Sequence, residues 1–192
     1  NIYLKENEIN TIYNLDLSNE KDRERIGDLF VLGCFTGLRY SDLSSIKPAN
    51  IKGDFIHLRQ GKTMNQVVIP LNDTAKKIIR KYDGGIPEGI HMDDFNKLIK
   101  GIAEEAGINE EIIITHKRGA ERIDKTYKKF ELIASHTCRR SFCTNEYLKG
   151  TPALFIMKIS GHRTERNFLK YIKVDEQVAA QKMLEFWKTR EG

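Results

Sequence analysis

The stretch Ser160–Lys173, SGHRTERNFLKYIK, places His162 and Tyr171 nine residues apart among several arginines and lysines. An aromatic side chain that only fills a core needs no cationic neighbours. A phenol that must approach a phosphate benefits from them, because fixed positive charge favours an anionic partner. The stretch therefore indicates a reactive tyrosine. A packed tyrosine is the alternative, since periodicity does not distinguish this residue from the other tyrosines of the chain.

Local signals place this stretch on a turn that leads into a helix. Gly161 permits the turn, and Thr164 is a suitable N-cap for the helix that follows. Tyr171 would lie about two turns into that helix, roughly 10 Å from the cap, and would face solvent or a site opposite the apolar side. Three apolar residues are predicted to face the core: Phe168, Leu169 and Ile172.

Length and composition indicate one substantial folded domain. The 192 residues are 40% hydrophobic and 31% charged, which is enough to bury a core. The sequence has no apolar run of about 18 residues and no secretion signal at its start, so no membrane association is expected. Three cysteines are too few for a disulfide framework, which favours a reducing cytoplasm.

Hydrophobic periodicity predicts a mainly α domain with a small β component, an α+β fold. Two stretches change to extended patterns: 51–71 indicates a hairpin that bends at Gly61, and 114–136 indicates a second hairpin. Helices are predicted over 5–17, 19–36, 39–46, 72–82, 92–106, 136–149 and 151–160, from Thr164, and from Asp175 onward.

Residues typical of helix ends support these boundaries. Ser18 or Asn19 can cap the second helix, and Gly37 can end it in the left-handed conformation. Thr151 followed by Pro152 is typical of a helix start with the threonine as N-cap and the proline in the first turn.

Arg39 and Lys62 are candidate phosphate ligands. Arg39 follows a Gly-Leu turn at a predicted helix start, where backbone amides also favour an anion. A surface ion pair with Asp42 is the alternative role of this arginine. Lys62 lies near the bend of the first hairpin, from which it can reach a DNA groove or a reacting oxygen. Lysines at such positions often only keep an edge strand soluble.

His136 and Arg139 are three residues apart and share one face of a predicted helix. An arginine fork and a proton-transferring histidine suit a phosphodiester. A metal site formed by His136, Cys138 and Cys143 is excluded, because these positions fan out around the helix and cannot close a tetrahedron. The two cysteines are expected to be small buried hydrophobes.

A basic tract runs from His116 to Arg140. It contains eight lysines and arginines against three acids, an excess equal to the +5 net charge of the whole chain. A local cationic tract on a neutral background favours a polyanionic partner. A solvated charged hairpin is the alternative.

Four motifs in this order resemble the catalytic domain of the tyrosine recombinases, or phage-type integrases: TGLRYSDL (36–43), the hairpin lysine in RQGKTMN (59–65), SHTCRRSF (135–142) and SGHRTERNFLKYI (160–172). The resemblance extends from the first helix to about Val174. It implies a DNA breaking-rejoining catalytic domain over 1–174 and a helical tail over 175–192. The family usually also carries an N-terminal DNA-binding arm, which this chain is expected to lack.

The resemblance also implies a role for each matching residue. Arg39 and Arg139 would bind the scissile phosphate, with Asp42 as a support for Arg39. Lys62 would be the hairpin lysine and general acid, although Lys52 lies nearby in the sequence. The remaining implied roles are those of His136 as the histidine of the His-x-x-Arg motif, His162 as the third phosphate-side group and Tyr171 as the nucleophile.

On this resemblance, the chain is expected to be a site-specific recombinase that cuts and rejoins DNA through a 3′-phosphotyrosyl intermediate, without metal or other cofactor. Its expected partners are double-stranded DNA, further copies in a homotetramer on DNA, and accessory DNA-bending proteins, the free protein being a monomer. Integration or excision of a mobile element in a bacterial cytoplasm, at the nucleoid, is the expected setting. Strand relaxation of the type IB topoisomerase kind and a non-catalytic DNA-binding regulator are the alternatives.

The C-terminal tail is amphipathic, with Val178, Leu184 and Trp187 able to form one stripe. In relatives such a helix docks on a neighbouring subunit. Packing of the helix onto its own domain is the equally open alternative.

Overall fold

The computed structural model describes residues 2–118, 121–174 and 176–190. Helices dominate, and their bounds are α1 Glu6–Tyr13, α2 Lys21–Thr36, α3 Tyr40–Leu43, α4 Asp73–Lys81, α5 Met92–Glu105, α6 Ser135–Leu148, α7 Ala153–Ser160, α8 Glu165–Leu169 and α9 Glu176–Arg190. The strands are β1 Ile51–Lys52, β2 Phe55–Arg59, β3 Gln66–Pro70, β4 Glu111–Arg118 and β5 Glu121–Lys128. Short 3₁₀ turns occupy Pro48–Asn50 and Lys129–Leu132. The predicted mainly α fold with small sheets is confirmed.

The centre of the domain is the packing of α2 against α6. Most of α2 is buried, because apolar residues occupy nearly every position from Ile26 to Cys34. Gly33 lets the two helices approach closely, since a Cβ at this position would lie 3.1 Å from Cys138 of α6. Gly37 then ends α2 in the left-handed conformation, with φ of 66°. This turn directs the chain into α3 beside the N-terminal half of α6.

Two small antiparallel sheets extend the helical body. The first has the order β1-β2-β3, and Ile56 of β2 lies opposite Ile69 of β3. Alternate residues of both strands are buried, as expected for a sheet with one face on the core. The turn between β2 and β3 carries Lys62. The second sheet is the long β4–β5 hairpin, whose base pairs Glu111 with Lys128.

Several predicted helix ends need correction. The N-cap of α2 is Glu20 rather than Ser18 or Asn19. Helix α7 begins at Ala153 with Pro152 as its N-cap, so Thr151 lies outside the helix, where its hydroxyl bonds Glu146 of α6. The predicted start of the last helix at Asp175 lies outside the described residues.

The largest correction concerns the helix that was predicted to hold Tyr171. Thr164 caps α8 as expected, and its Oγ1 accepts from the N–H of Asn167. The helix ends at Leu169, however, so Tyr171 lies in the turn beyond it. Phe168 is fully buried, whereas the side chain of Leu169 is 51% exposed instead of facing the core. None of the described helices is long and apolar enough to span a membrane.

Candidate active site

One open cleft collects most of the residues that the sequence singles out. It has a volume of about 770 Å³ and lies between α3, the β2–β3 turn, the start of α6 and the segment after α8. Four of the predicted site residues line it: Arg39, Lys62, His136 and Tyr171. The other two, Arg139 and His162, contact the ring of Tyr171. Tertiary structure thus brings all six residues into one region.

The far wall of the cleft is the segment 88–92, which precedes and begins α5. The hydroxyl of Tyr40 holds it in place by donating to the carbonyl of Ile90 at 2.6 Å and accepting from the N–H of the same residue at 3.0 Å. Gly89 packs so closely on Ser44 that an added Cβ would lie 2.7 Å from the serine hydroxyl. This wall is therefore fixed to α3 and lines the same cleft as Tyr171.

Arg139 is the largest fully buried side chain in the described part of the protein. Its Nη1 donates to the carbonyls of Gly37, at 2.9 Å, and Ser160, and its Nη2 lies 3.2 Å from Nε2 of His162. All three partners are neutral acceptors. Burial and the neighbouring Arg39 lower the pKa of the guanidinium. Among the described residues no carboxylate forms an ion pair with this guanidinium, so its charge could be balanced by an anion.

The hydrogen bonds of His162 indicate which of its two ring nitrogens carries the proton. Ser160 donates its hydroxyl to the carbonyl of Ile156 at 2.6 Å, so its oxygen accepts from Nδ1–H of His162 at 2.8 Å. Nε2 therefore carries the lone pair that faces Arg139. Burial, with Arg139 and Arg39 next in importance, lowers the pKa of His162 to about 3. The ring is neutral at pH 7 and holds the guanidinium of Arg139 in position.

Arg39 begins α3, and its side chain is only 19% exposed. Its Nη1 lies 3.5 Å from Oδ2 of Asp42, which is itself buried. The other carboxylate oxygen of Asp42 accepts from the N–H of Gly61 at 2.9 Å. The ion pair between Arg39 and Asp42, which the sequence suggested as a surface contact, therefore lies at the cleft. Asp42 also anchors the turn between β2 and β3.

Lys62 is exposed and lines the cleft, one residue after the anchored Gly61. Lys52 lies on β1, where it pairs with Phe55 at the opposite end of β2. The two lysines are therefore separated by the length of a strand, and Lys62 is the one at the cleft.

His136 lies in the first turn of α6 at the rim of the cleft, with part of its surface exposed and the rest shielded from water, whereas Arg139 on the same helix points into the interior. The N–H of Ser135 donates to Oδ1 of Asn96 on α5 at 2.7 Å, which fixes the start of the helix. Burial, and then the positive charges of Arg140 and Arg139, lower the pKa of His136. A neutral imidazole can accept a proton.

Tyr171 is docked in the cleft of its own chain. Its ring lies 4.7 Å from the ring of His162 in an edge arrangement, and 5.3 Å from the guanidinium carbon of Arg139. The guanidinium carbon of Arg140 lies 5.8 Å from the same ring. The hydroxyl of Thr144 fixes the backbone on both sides, since it donates to the carbonyl of Tyr171 at 3.1 Å and accepts from the N–H of Lys173 at 3.2 Å. A phenol surrounded by cations and held by its backbone is arranged for attack on a phosphate.

The sequence also matches a known protein family. A family model, that of the phage integrase family, matches residues 3–178. The chain belongs to the phage integrase family. Among curated proteins, none matches the sequence significantly.

Solved recombinase structures share the fold of this integrase-family chain. The XerA recombinase is 16% identical, with a TM-score of 0.69, over 97% of this chain and 65% of that one. The XerH site-specific recombinase, in a post-cleavage complex with a palindromic difH substrate, is 14% identical, with a TM-score of 0.62, over 97% and 53%. A lambda integrase dimer bound to a COC′ core site is 18% identical, with a TM-score of 0.60, over 89% and 59%. The chain thus spans between about half and two-thirds of the length of these recombinases.

Several residues of this integrase-family site were missed at the level of sequence. Arg140 and Thr144 contact Tyr171 from α6, and Gln60 contacts Arg39 from the end of β2. The four-residue spacing of Arg140 and Thr144 indicates a shared helix face, but nothing local shows that Tyr171 packs there. These roles are visible only once distant segments meet.

The basic tract does not form one surface. Lys129 is buried and pairs with Glu8 and Glu110, and Arg139 lies in the interior. Arg122 and Lys125 are exposed on β5. The side chains at the hairpin tip, 117–121, lie outside the described residues. The cationic surface is therefore divided between the β4–β5 hairpin and the cleft.

The three cysteines are free and buried, as expected for Cys138 and Cys143. Burial raises the pKa of the Cys143 thiol to about 11 and also raises that of Cys34. Cys138 packs on Gly33 in the α2–α6 contact, while His136 faces the cleft. In the described part of the chain, no three ligating side chains are grouped as a metal site requires.

Proposed function

We propose that this chain is the catalytic domain of a site-specific DNA recombinase, over residues 1–174, followed by a helical tail over 175–192. The supporting observation is that Tyr171 is docked in cis beside two arginines and a histidine, in a cleft that also holds Arg39 and Lys62. This arrangement supports transesterification of a DNA phosphate by the tyrosine. The natural process would be integration or excision of a mobile element at the bacterial nucleoid.

The scissile phosphate would bind between Arg39 and Arg139. Asp42 orients the first arginine, and His162 with the carbonyls of Gly37 and Ser160 orients the second. Negative charge that develops on the non-bridging oxygens during attack is stabilised by these fixed guanidinium groups. Their positions are set before DNA arrives, so little reorganisation accompanies the reaction.

In the cleavage step, Oη of Tyr171 attacks phosphorus, the bond between phosphorus and the 5′-oxygen breaks, and a 3′-phosphotyrosine forms. The phenol proton passes to His136, because its lowered pKa keeps the imidazole neutral and leaves a lone pair to accept the proton. Lys62 donates a proton to the departing 5′-oxygen. The energy of the broken ester is kept in the new one, so the reverse reaction joins a new 5′-hydroxyl without ATP.

Assembly on double-stranded DNA as a homotetramer from free monomers is part of the proposal. Helix α9 supports it, because Phe186 and Trp187 are each more than half exposed beside an open groove of about 760 Å³. A neighbouring copy would cover these side chains, and an accessory protein that bends the DNA would favour synapsis. Replacing both residues by serine should leave DNA binding intact and abolish the tetrameric complex in mass photometry. An unchanged tetramer would show that α9 acts within its own domain.

Covalent trapping on a nicked suicide duplex tests the proposed chemistry. The duplex carries the recombination site, and the full-length protein is incubated with it in the absence of added metal. A DNA-linked band on a denaturing gel is expected for the wild type and for Tyr147→Phe, whose tyrosine lies on α6 away from the cleft, but not for Tyr171→Phe. If the wild type binds the duplex yet forms no adduct, the chain is a DNA-binding regulator. Relaxation of supercoils without joining of two duplexes would instead indicate a topoisomerase.

A further inference from the structure

Gln60 is a fully buried polar residue at the point where β2 enters the turn that carries Lys62. Its Nε2 donates to the carbonyl of Ser160 at 3.1 Å. Its Oε1 accepts from the hydroxyl of Thr63 at 2.9 Å and lies 3.5 Å from Nη1 of Arg39. One amide therefore connects the end of α7, the hairpin turn and the first arginine of the cleft. A buried amide that satisfies partners on three elements fixes their relative positions.

The carbonyl of Ser160 is shared between two donors of the site. It accepts from Gln60 and from Arg139, and the hydroxyl of the same serine accepts from His162. Ser160 thus links the buried guanidinium to the hairpin through Gln60. The hairpin and Arg139 are therefore both held by the carbonyl of Ser160.

The fit around Gln60 is close. Gly161, with φ of 75°, passes directly over its amide, and a Cβ at this position would lie 2.1 Å from Oε1. Glycine is therefore required both for the left-handed turn at the end of α7 and for the approach of the two segments.

The rest of the turn is anchored from the outside. Gly61 donates its N–H to Asp42, and the guanidinium of Arg163 donates to the carbonyl of Thr63. The backbone of the turn also closes on itself, since the N–H of Gln60 donates to the carbonyl of Asn65 at 2.9 Å. Lys62 lies between these anchors with an exposed side chain. The hairpin lysine thus projects from a fixed turn rather than from a mobile one.

We infer that Gln60 is a positioning residue for Lys62: it sets the distance between the lysine ammonium and the leaving 5′-oxygen. The inference rests on the proposed function. Loss of the amide would let the turn move relative to Ser160 while Arg39 keeps its ion pair with Asp42. Proton delivery to the leaving group would then be impaired more than phosphate binding. A displacement of about 1 Å can slow a positioned reaction on the order of a hundredfold.

The experiment compares two suicide substrates that differ at one atom, the 5′-bridging oxygen or a sulfur in its place. A thiolate leaves without a proton, so it does not need the general acid. Single-turnover adduct formation is measured for Gln60→Met, Lys62→Ala and Arg39→Met. The matched control is Gln66→Met, an exposed glutamine on β3 of the same hairpin.

Gln60→Met is expected to be slower on the oxygen substrate by about tenfold to a hundredfold. On the sulfur substrate it should return to within about threefold of the wild type, as should Lys62→Ala. Arg39→Met should remain slow on both substrates, and Gln66→Met should match the wild type on both. This pattern would show that Gln60 acts on the general acid Lys62 and not on phosphate binding or folding.

Other outcomes overturn the inference. Wild-type rates for Gln60→Met on both substrates, or an equal defect on both, would show that the amide does not act through Lys62. Absence of rescue for Lys62→Ala would remove the general acid itself. If Gln60→Met is poorly folded by circular dichroism, Thr63→Val tests the same hydrogen bond, with a smaller rescued defect expected and a defect without rescue counting against the inference. Failure of the proposed function is recognised separately, because the wild type would then form no adduct with either substrate.

Discussion

Nη2 of Arg139 donates a hydrogen bond to Nε2 of His162, 3.2 Å away. A buried cation paired with a neutral imidazole is an unusual arrangement, since buried charges normally find an opposite charge. Among the residues that the structure describes, no carboxylate forms an ion pair with this guanidinium, and on the proposed function a phosphate would take that place. The positive charge of Arg139 also makes the protonation of His162 unfavourable.

The first prediction concerns the pH dependence of stability. The folded-state pKa of His162, about 3, lies below the ordinary value near 6.5, so the unfolded chain binds the proton first. The free energy of unfolding should fall as the pH drops through 6.5, by at most about 1.4 kcal/mol at pH 5.5 and by less because water reaches part of the ring. The lowered pKa of His136 acts in the same direction. Urea denaturation between pH 7.5 and 5.5 measures the effect, and it should be smaller in His162→Gln. An identical slope in that variant would contradict the assignment.

The second prediction is that Thr144→Val slows adduct formation by about tenfold or more. The substitution keeps the shape of the buried side chain but leaves the carbonyl of Tyr171 and the N–H of Lys173 without their shared partner, a loss of about 1–3 kcal/mol. Single-turnover trapping measures the rate, and gel-shift affinity for the duplex should change little. Thr36→Val is the matched control, because the hydroxyl of Thr36 bonds only within α2. Equal rates for the two variants would show that the nucleophile does not depend on this clamp.

The third prediction is that Arg140 stabilises the negative charge on Tyr171 when it attacks as a phenolate. Arg140→Met removes a cation whose guanidinium carbon lies 5.8 Å from the centre of the Tyr171 ring. Adduct formation at pH 7 should fall by about tenfold, as expected for a loss of about 1.4 kcal/mol in a desolvated cation–ring contact. It should recover partly at higher pH and partly in Arg140→Lys. Arg166→Met, on the exposed face of α8, is the control. A defect that is the same at every pH would indicate a purely structural role.

The fourth prediction is a steep salt dependence of DNA binding. Two phosphate contacts, by Arg39 and Arg139, already require a decrease in affinity of about tenfold between 50 and 200 mM salt. Exchange of both Arg122 and Lys125 for glutamine should reduce the slope by roughly two if β5 also follows the backbone. Lys76→Gln, which removes a lysine of α4 that is paired with Asp54 and does not line the cleft, should leave the slope unchanged. Affinity that does not vary with salt would contradict this prediction.

Local sequence signals were sufficient to predict helix ends that depend only on neighbouring residues. Gly37 predicts the end of α2 because only a residue without Cβ adopts φ of 66° easily, and Thr164 predicts the start of α8 because its hydroxyl satisfies a free N–H. The α+β fold and the order of the motifs follow from signals of the same kind. The prediction of Thr151 as an N-cap was wrong because the neighbouring Pro152 takes that position. The prediction that Leu169 faces the core was wrong because α8 ends at this residue, although the apolar periodicity of the sequence continues beyond it.

Only the tertiary structure decided how the site is built. The hydroxyl of Thr144 on α6 bonds the backbone around Tyr171. The turn that carries Lys62 is bonded through Gln60 to Ser160, a hundred residues away in the chain. Such contacts join groups that are distant in sequence, and no periodicity or capping rule encodes their distances. The sequence by itself, through its resemblance to the tyrosine recombinases, indicated which residues are candidates to bind and transfer a phosphate. The packing of α6 against α2 and α7 decided that these residues meet in one region and which groups hold them there, because most polar atoms that become buried are satisfied by a partner.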